Sequence, residues 1–166
     1  MATINKEVTL CLLVRDGNIY LAKKKRGFGK DRWNGYGGKV ESGEAIRVAA
    51  IRELLEETNG ENGRGITVNA DHLEPVAVIE FFFKLKPEWN QRAHVFLIRE
   101  WGGEPQETEE MLPAQFAVAD IPYHEMWPED RIWFPRILAG ERLRGEIVFR
   151  DNEGNAERIE FKPMAV

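Results

Sequence analysis

The sequence predicts an α/β fold, a mixed β-sheet covered by helices, in a single domain spanning residues 1–166. Three observations carry this. Short strand-like apolar runs recur along the whole chain. Two stretches of helix formers, Glu44–Thr58 and Glu129–Ala139, are intermixed with those runs, which argues against separate helical and strand halves. A content of 43% hydrophobic and 10% aromatic residues over 166 positions is too apolar for disorder and sufficient for an unaided core.

The elements follow in order. Val8–Val14 is a compact apolar run and reads as a buried strand. Asp16-Gly17-Asn18 is a turn signal and Ile19–Lys24 returns from it, so the two form a hairpin. Gly27–Gly38 is rich in glycine, has no period and reads as a loop. Glu44–Thr58 is an unbroken helix, with Ser42 as its N-cap and Glu44 in its electropositive first turn. Residues 59–65 end it as a surface loop. Pro75–Leu85 and Ala93–Trp101 form a long hairpin around Pro87 and Asn90, and Phe116–Val118 is a further short strand. Glu129–Ala139 is the second helix, with Pro128 near its first position and Pro135 bending it. Glu146–Arg150 and Arg158–Phe161 flank the turn Asp151-Asn152-Glu153-Gly154 as a terminal hairpin.

Composition excludes several classes. Neither of the longest apolar runs approaches the ~18 residues of a membrane span, and no secretory signal is expected. One cysteine, Cys11, excludes an internal disulfide framework and a cysteine-rich zinc site; in its apolar strand it reads as an inert core thiol. His72, His94 and His124 have no metal spacing. A cytoplasmic protein is expected. The net charge of −5 disfavours unaided binding to a nucleic-acid polymer.

The first helix carries an energetically odd feature. At about 100° per residue, Glu53, Glu56 and Glu57 share roughly 100° of one face, with Ala50 and Leu54 along its edge and Val48, Ile51 and Leu55 across the helix. The pairs Glu53/Glu57 and Glu53/Glu56 each cost about 0.2–0.5 kcal/mol, and anions in the last turns oppose the helix dipole. A hard divalent cation, Mg²⁺ or Mn²⁺, would reverse these penalties, since clustered carboxylates without Cys or His suit such an ion. Alone, the strip also fits a solvated helix end paired with Arg47 or Arg52. The preceding segment Trp33-Asn34-Gly35-Tyr36-Gly37-Gly38-Lys39 tips the balance, because glycines let backbone approach a ligand and aim amides at phosphate oxygens.

Gly38, five residues, Glu44, seven residues, then Arg52-Glu53-Leu54-Leu55-Glu56-Glu57 resembles the Nudix box. Asn59, then Gly60, stand where the box expects a glycine; Asn tolerates a left-handed exit from the helix, so the loop reads as a longer exit. The resemblance implies a Nudix α/β/α sandwich and hydrolysis of a diphosphate linked to another moiety. It implies Mg²⁺ held by Glu53, Glu56, Glu57 and the Gly38 carbonyl, with one glutamate activating or orienting water. Arg52 would orient the glutamates, and Glu44 would brace the loop–helix junction.

The flanks resemble the oxidised-purine nucleoside triphosphatases of this family, the 8-oxo-dGTP diphosphatases. The residues that carry this are Lys24–Gly29, Arg32–Val40, His94-Val95-Phe96, Glu109-Glu110-Met111, Met126–Asp130 and Trp133-Phe134-Pro135. The resemblance implies a purine pocket. In it Trp127 would stack on the base, Phe28 line the other side, Asn34 bond the base edge, and Glu129 and Asp130 read the Watson–Crick edge. Glu129 replaces an aspartate of the family. Thr9, Lys24, Tyr36, Gly37, Gly38 and Phe81 would complete the substrate site, and Glu110 would be a further metal ligand. A monomer acting on a free nucleoside triphosphate is expected. Two adjacent acids against a neutral base should keep one proton between them, although acids at a helix start also occur for the dipole alone. Other nucleotides as substrate, or a non-catalytic nucleotide-binding module, are the competing readings.

Overall fold

The computed structural model describes residues 2–164. Its elements are β1 (Lys6–Arg15), β2 (Asn18–Lys24), β3 (Trp33–Asn34), α1 (Ile46–Thr58), β4 (Ile66–Thr67), β5 (Glu74–Phe83), β6 (Gln91–Ile98), β7 (Gly102–Gly103), β8 (Met111–Ala117), α2 (Asp130–Leu138), β9 (Leu143–Phe149) and β10 (Ala156–Pro163). Eight of the described strands form one mixed sheet in the order β10-β9-β5-β6-β1-β2-β3, with β8 also on β2; β4 and β7 pair separately. The pairs β1–β6 and β5–β9 are parallel and the other neighbours antiparallel.

Alternation along β1 sorts its side chains to the two faces of the sheet. Leu12 and Val14 join a cluster with Trp133, Phe134 and Ile137 of α2. Cys11 and Leu13 join a second cluster with Ala50 and Leu54 of α1. The sheet is thus covered by a helix on each face, the expected sandwich. None of the described helices is long and apolar enough to cross a membrane.

The first hairpin turns through Asp16 and Gly17, which pair Arg15 with Asn18 and have φ of +55° and +77°. Positive φ at both positions is the geometry that Asp-Gly supplies to a two-residue turn. β1 and β2 stay paired only over Leu13–Arg15, then part. β8 occupies one edge of β2 throughout, so β3 takes the edge that β1 leaves. The chain then crosses to β1, where Tyr36 bridges to Cys11 and Lys39 to Val8. The glycine segment therefore fills a wedge between two diverging strands, and this wedge positions the site. The expectation of an unstructured loop over 27–38 is corrected here: its second half is sheet-like because two strand edges need partners.

Several local expectations are also corrected. α1 starts at Ile46 with Ala45 as N-cap and no side-chain cap, so Ser42 does not cap it. Glu44 lies outside the first turn and accepts from the Glu41 amide and from Arg52. Val48 is exposed, leaving α1 buried on one side through Ala49, Ala50 and Leu54. Asn59 is extended, not left-handed, with φ −85°; the exit loop closes instead by the bonds Gly60 N–H to the Arg64 carbonyl and Gly63 N–H to the Gly60 carbonyl. The strand foreseen at 116–118 is the end of the longer β8, whose alternation is masked by Pro113 and Gln115. Pro128 precedes α2, whose N-cap is Glu129.

A single buried face on α1 sets an unequal response to truncation. Leu54→Ala, in the helix–sheet core, is expected to cost about 3 kcal/mol, and Val48→Ala less than about 0.5 kcal/mol, as read from urea unfolding midpoints.

Candidate active site

A cavity of about 260 Å³ opens beside the wedge. Glu57, Gly37 and Gly38 line one end; Trp127, Glu129 and Asp130 line the other, with Thr9, Lys24, Asn34 and Phe81 between them. These residues come from β1, β2, the wedge, the end of α1, β5 and the start of α2, which the topology gathers in one place.

At the first end, Glu57 is only 9% exposed and its Oε1 accepts from the Gly37 amide at 2.8 Å. Burial pushes its carboxyl from an ordinary 4.5 up to about 8; the Gly37 bond and Lys24 oppose this, and Glu53 and Glu110 add to it. Backbone leaves no room for a side chain at Gly37, and a side chain at Gly38 would displace the Glu53 carboxylate. A Cβ on Gly37 would overlap the Thr9 carbonyl, and one on Gly38 would overlap the Glu53 carboxylate. The Gly38 carbonyl accepts from the Thr9 amide at 2.9 Å and, at the longer distance of 3.5 Å, from the Thr9 hydroxyl.

Arg52 organises the outer side of this end. Its Nε and Nη2 donate to both oxygens of Glu44 at 2.8 and 2.9 Å, its Nη1 to Glu53 at 2.8 Å, and its Nη2 to the Lys39 carbonyl at 3.0 Å. The guanidinium holds Glu44 down at about 2, with help from the Glu41 amide. So the loop before α1 is clamped to its middle, and Glu53 is aimed at Gly38. Arg47, the other candidate partner for the strip, instead donates to the Ala70 and Leu73 carbonyls.

Not all the predicted ligands converge. The Glu56 side chain is 59% exposed, 3.6 Å from Arg52. Glu110 is half-exposed and paired with Arg26 at 3.3 Å. Among the described residues, no three acidic, His or Cys side chains form a ready metal cage. The donor chemistry nevertheless fits a hard cation: Glu57 is buried against the charges of Glu53 and Glu110, and an oxygen-only set is what Mg²⁺ takes.

At the other end, Glu129 and Asp130 are each 4% exposed, and Glu129 Oε2 and Asp130 Oδ2 are buried without hydrogen-bond partners. Burial pushes Glu129 up to about 7. Asp130 is raised strongly by burial and by Glu129; the Trp127 amide, Trp133 and Arg32 oppose this. The Trp133 indole N–H neighbours Asp130 but makes no bond of normal geometry. The Glu129 side chain does not cap α2. Acids placed for the dipole alone would lie at the solvated helix end; these face the cavity.

Asn34 lines the cavity with its Oδ1 taken by the Gly35 amide at 2.8 Å, which leaves its NH₂ free to donate. Phe28, 53% exposed, stacks on Trp127 itself, with centroids 5.1 Å apart and a 28° tilt. The two rings therefore form one wall instead of facing each other across a gap, because the indole is the nearest large apolar surface. Tyr36 is corrected: it does not line the cavity but is fully buried in the α1-side core, its amide and carbonyl bonded to Cys11. The backbone exchange with β1 turns its ring away from the cavity.

Sequence reasoning missed Arg32, Ile79, Phe83, Met111 and Phe149 as lining residues. Strand parity from Phe81 would have found Ile79 and Phe83; Arg32 opens the segment Arg32–Val40 that carries the resemblance, but nothing in the sequence assigns its side chain to the cavity.

The chain's affinities agree with this geometry. Residues 5–137 match the NUDIX domain. The chain belongs to the Nudix family. It is 42% identical over 149 residues to the oxidized purine nucleoside triphosphate hydrolase of Danio rerio, covering 90% of each chain. The mouse protein of the same name is 41% identical over 145 residues, 87% of each chain. Among solved structures, the MutT protein of Bacillus halodurans superposes with a TM-score of 0.79 at 24% identity, over 96% of this chain and 99% of that one. This likeness supports the Nudix fold. Nudix hydrolases generally use divalent metals such as Mg²⁺.

The three raised acids link stability to pH. Glu57, Glu129 and Asp130 hold protons in the folded chain that the unfolded chain releases above about 4.5. Their stabilisation is complete below that pH and is lost as pH climbs through about 7 for Glu129 and about 8 for Glu57. Urea unfolding in EDTA should show the protein several kcal/mol less stable at pH 9 than at pH 6, and Glu129→Gln should remove the part centred near pH 7.

Proposed function

We propose that this Nudix protein hydrolyses oxidised purine nucleoside triphosphates such as 8-oxo-dGTP, giving the monophosphate and pyrophosphate. The observation that carries this reading is the single cavity that joins a buried glutamate beside a glycine loop to a buried acid pair beside a tryptophan. One end suits a triphosphate and the other a purine edge. The relatives of 42% and 41% identity, named for that activity, support it. The protein acts as a cytoplasmic monomer on free nucleotides, with no nucleic-acid polymer or membrane as partner.

Glu53, Glu56 and Glu57 and the Gly38 carbonyl would hold Mg²⁺, with Glu110 joining from its loop. The cation supplies charge neutralisation for the triphosphate and a lowered pKa for attacking water. Arg52 aims Glu53 at Gly38 and so sets the ligand geometry. The Gly37 amide holds one oxygen of Glu57 and leaves the other to accept a proton from water. Lys24, in the cavity near Glu57, offsets phosphate charge.

At the base end the acid pair shares a proton. The protonated carboxyl donates to a purine carbonyl while its partner accepts from ring nitrogens. Moving the proton between them accommodates different lesions. Glu129 reaches one methylene further than an aspartate, which bears on which purine fits best. Trp127 adds a stacking surface worth about 1–3 kcal/mol per base.

A panel of triphosphates assayed by pyrophosphate release tests the reading. We expect 8-oxo-dGTP to exceed dGTP in kcat/KM, full dependence on added Mg²⁺, and a loss of about 10²–10⁴-fold in Glu57→Gln. Equal turnover of both nucleotides would redirect the assignment to ordinary nucleotides; preference for a methylated purine or a nucleotide sugar would redirect it to those; binding without turnover would make this a non-catalytic module. Asp130→Asn should reorder the preferred purines, and an unchanged ranking would remove the shared-proton role.

A further inference from the structure

Arg32 has no role in the site as built so far, yet it connects its base end to the wedge. Its backbone is fixed in the turn after β2: its amide donates to the Gly29 carbonyl at 3.1 Å and its carbonyl accepts from Lys24 at 3.2 Å. Its side chain is fixed on the opposite wall. Nη1 donates to the Met126 carbonyl at 2.9 Å, and the guanidinium carbon lies 4.1 Å from the Trp127 ring centroid. The residues it touches begin the segment 126–130, which carries Trp127, Glu129 and Asp130. Its strong donor bond goes to a carbonyl, so its charge is not cancelled by a bonded carboxylate. Two buried carboxyl oxygens without a partner, Glu129 Oε2 and Asp130 Oδ2, belong to residues that line the same cavity as Arg32.

We propose that Arg32 is a positioning residue for base recognition with two separable effects: its guanidinium, bonded to the Met126 carbonyl and set over the Trp127 ring, clamps the 126–130 segment to the cavity wall, and its charge acts on the cavity that Glu129 and Asp130 line. The identity of the ligand rests on the purine reading above; the effect on the pair does not.

The groups around the pair leave this work to Arg32. From α2 come Trp133 and the two acids themselves, and from the turn before α2 comes Tyr123, whose hydroxyl is made harder to ionise by burial and then by Asp130. From the sheet side come Thr9 and Asn34, which do not titrate. Lys24 lines the same cavity but acts on Glu57. Arg32 is the cation that favours the anionic forms of both Glu129 and Asp130. Burial alone would leave both acids protonated at neutral pH, and a pair with two protons lacks the charged acceptor that ring N–H groups require. A guanidinium suits this position because its flat face stacks while its edge donates, and it does not lose its proton.

The test compares Arg32→Gln, Arg32→Lys and the wild type, all in EDTA. Carbon-detected NMR titration of the Glu129 and Asp130 carboxyls reads the charge effect without any ligand. In Arg32→Gln the first ionisation of the pair should move up by about one pH unit; in Arg32→Lys it should stay close to the wild type. Calorimetry with 8-oxo-dGMP from pH 6 to pH 8.5 reads recognition. The Gln variant should show its acid limb displaced by the same amount. The Lys variant should bind roughly 3–10-fold more weakly at every pH, with the limb unmoved, because an ammonium cannot stack as a plane. Arg32→Met, which keeps the aliphatic stem over the indole, replaces Gln should that variant unfold. Carboxyl titrations that overlay the wild type in the uncharged variant would overturn the charge role, and wild-type affinity in Arg32→Lys would overturn the clamp. A wild-type protein that binds no purine monophosphate, with the NMR shift present, would sink the purine reading and leave only the charge effect of Arg32 on the pair standing.

Discussion

The structure turns on a carboxylate held in a place where burial disfavours its charge. Glu57 ends α1 against the sheet, and its compensation within the chain is the amide of Gly37 together with Lys24 nearby. That amide is available because β1 and β2 diverge and the segment between them must satisfy two open strand edges. Gly37 fits in the wedge because any side chain there would strike the Thr9 carbonyl, and Gly38 leaves the Glu53 carboxylate where it is. The glycines are therefore there for close approach as well as for turn geometry. The same packing that brings the backbone to Glu57 brings Thr9, Lys24 and Asn34 to the cavity.

Around this constraint the cations are divided by task. Arg52 works outside the cavity, joining Glu44, Glu53 and the Lys39 carbonyl into one brace. Lys24 works at the Glu57 end, and Arg32 at the acid-pair end. In a chain of net charge −5, Lys24 and Arg32 thus bring positive charge to the cavity itself. An anionic protein can receive an anionic ligand when the local field, not the net charge, faces it.

Much of this was legible in the chain. Periodicity and turn chemistry read α1, α2 and the hairpins, because those signals are local: Asp16-Gly17 needs only its own φ preferences. The spacing from Gly38 to Glu57 located the wedge and the acidic helix end together. What stayed hidden depends on partners distant in sequence. Tyr36 sits in a motif whose neighbours line the cavity, but its backbone exchange with Cys11 sends the ring into the core. Ser42 has the chemistry of a cap, yet the helix begins three residues beyond the position it would cap, where Arg52 and the Glu41 amide hold Glu44. Phe28 and Trp127 were each legible as aromatic walls, whereas their contact with each other is a tertiary fact. Arg32 begins a segment that carries the resemblance, but its place on the cavity wall was hidden because it depends on a ring contact and a carbonyl 94 positions away.

The two ends of the cavity make opposite demands on similar chemistry. Glu57 and Glu129 are both buried carboxyls, and the same desolvation lifts each well above its ordinary value, to about 8 and about 7. In the proposed reaction Glu57 must give up its proton to serve as ligand or base, while the Glu129–Asp130 pair must keep one to donate to a purine. One desolvated cavity serves both only if different cations act at its ends. A divalent ion held beside Glu57 would supply a charge strong enough to favour its anionic form. A single guanidinium, already stacked and donating to a carbonyl, is a weaker influence, sufficient to remove one proton from a coupled pair and not the second. Separation of the two charges along the cavity is thus what lets neighbouring acids of the same type take different roles.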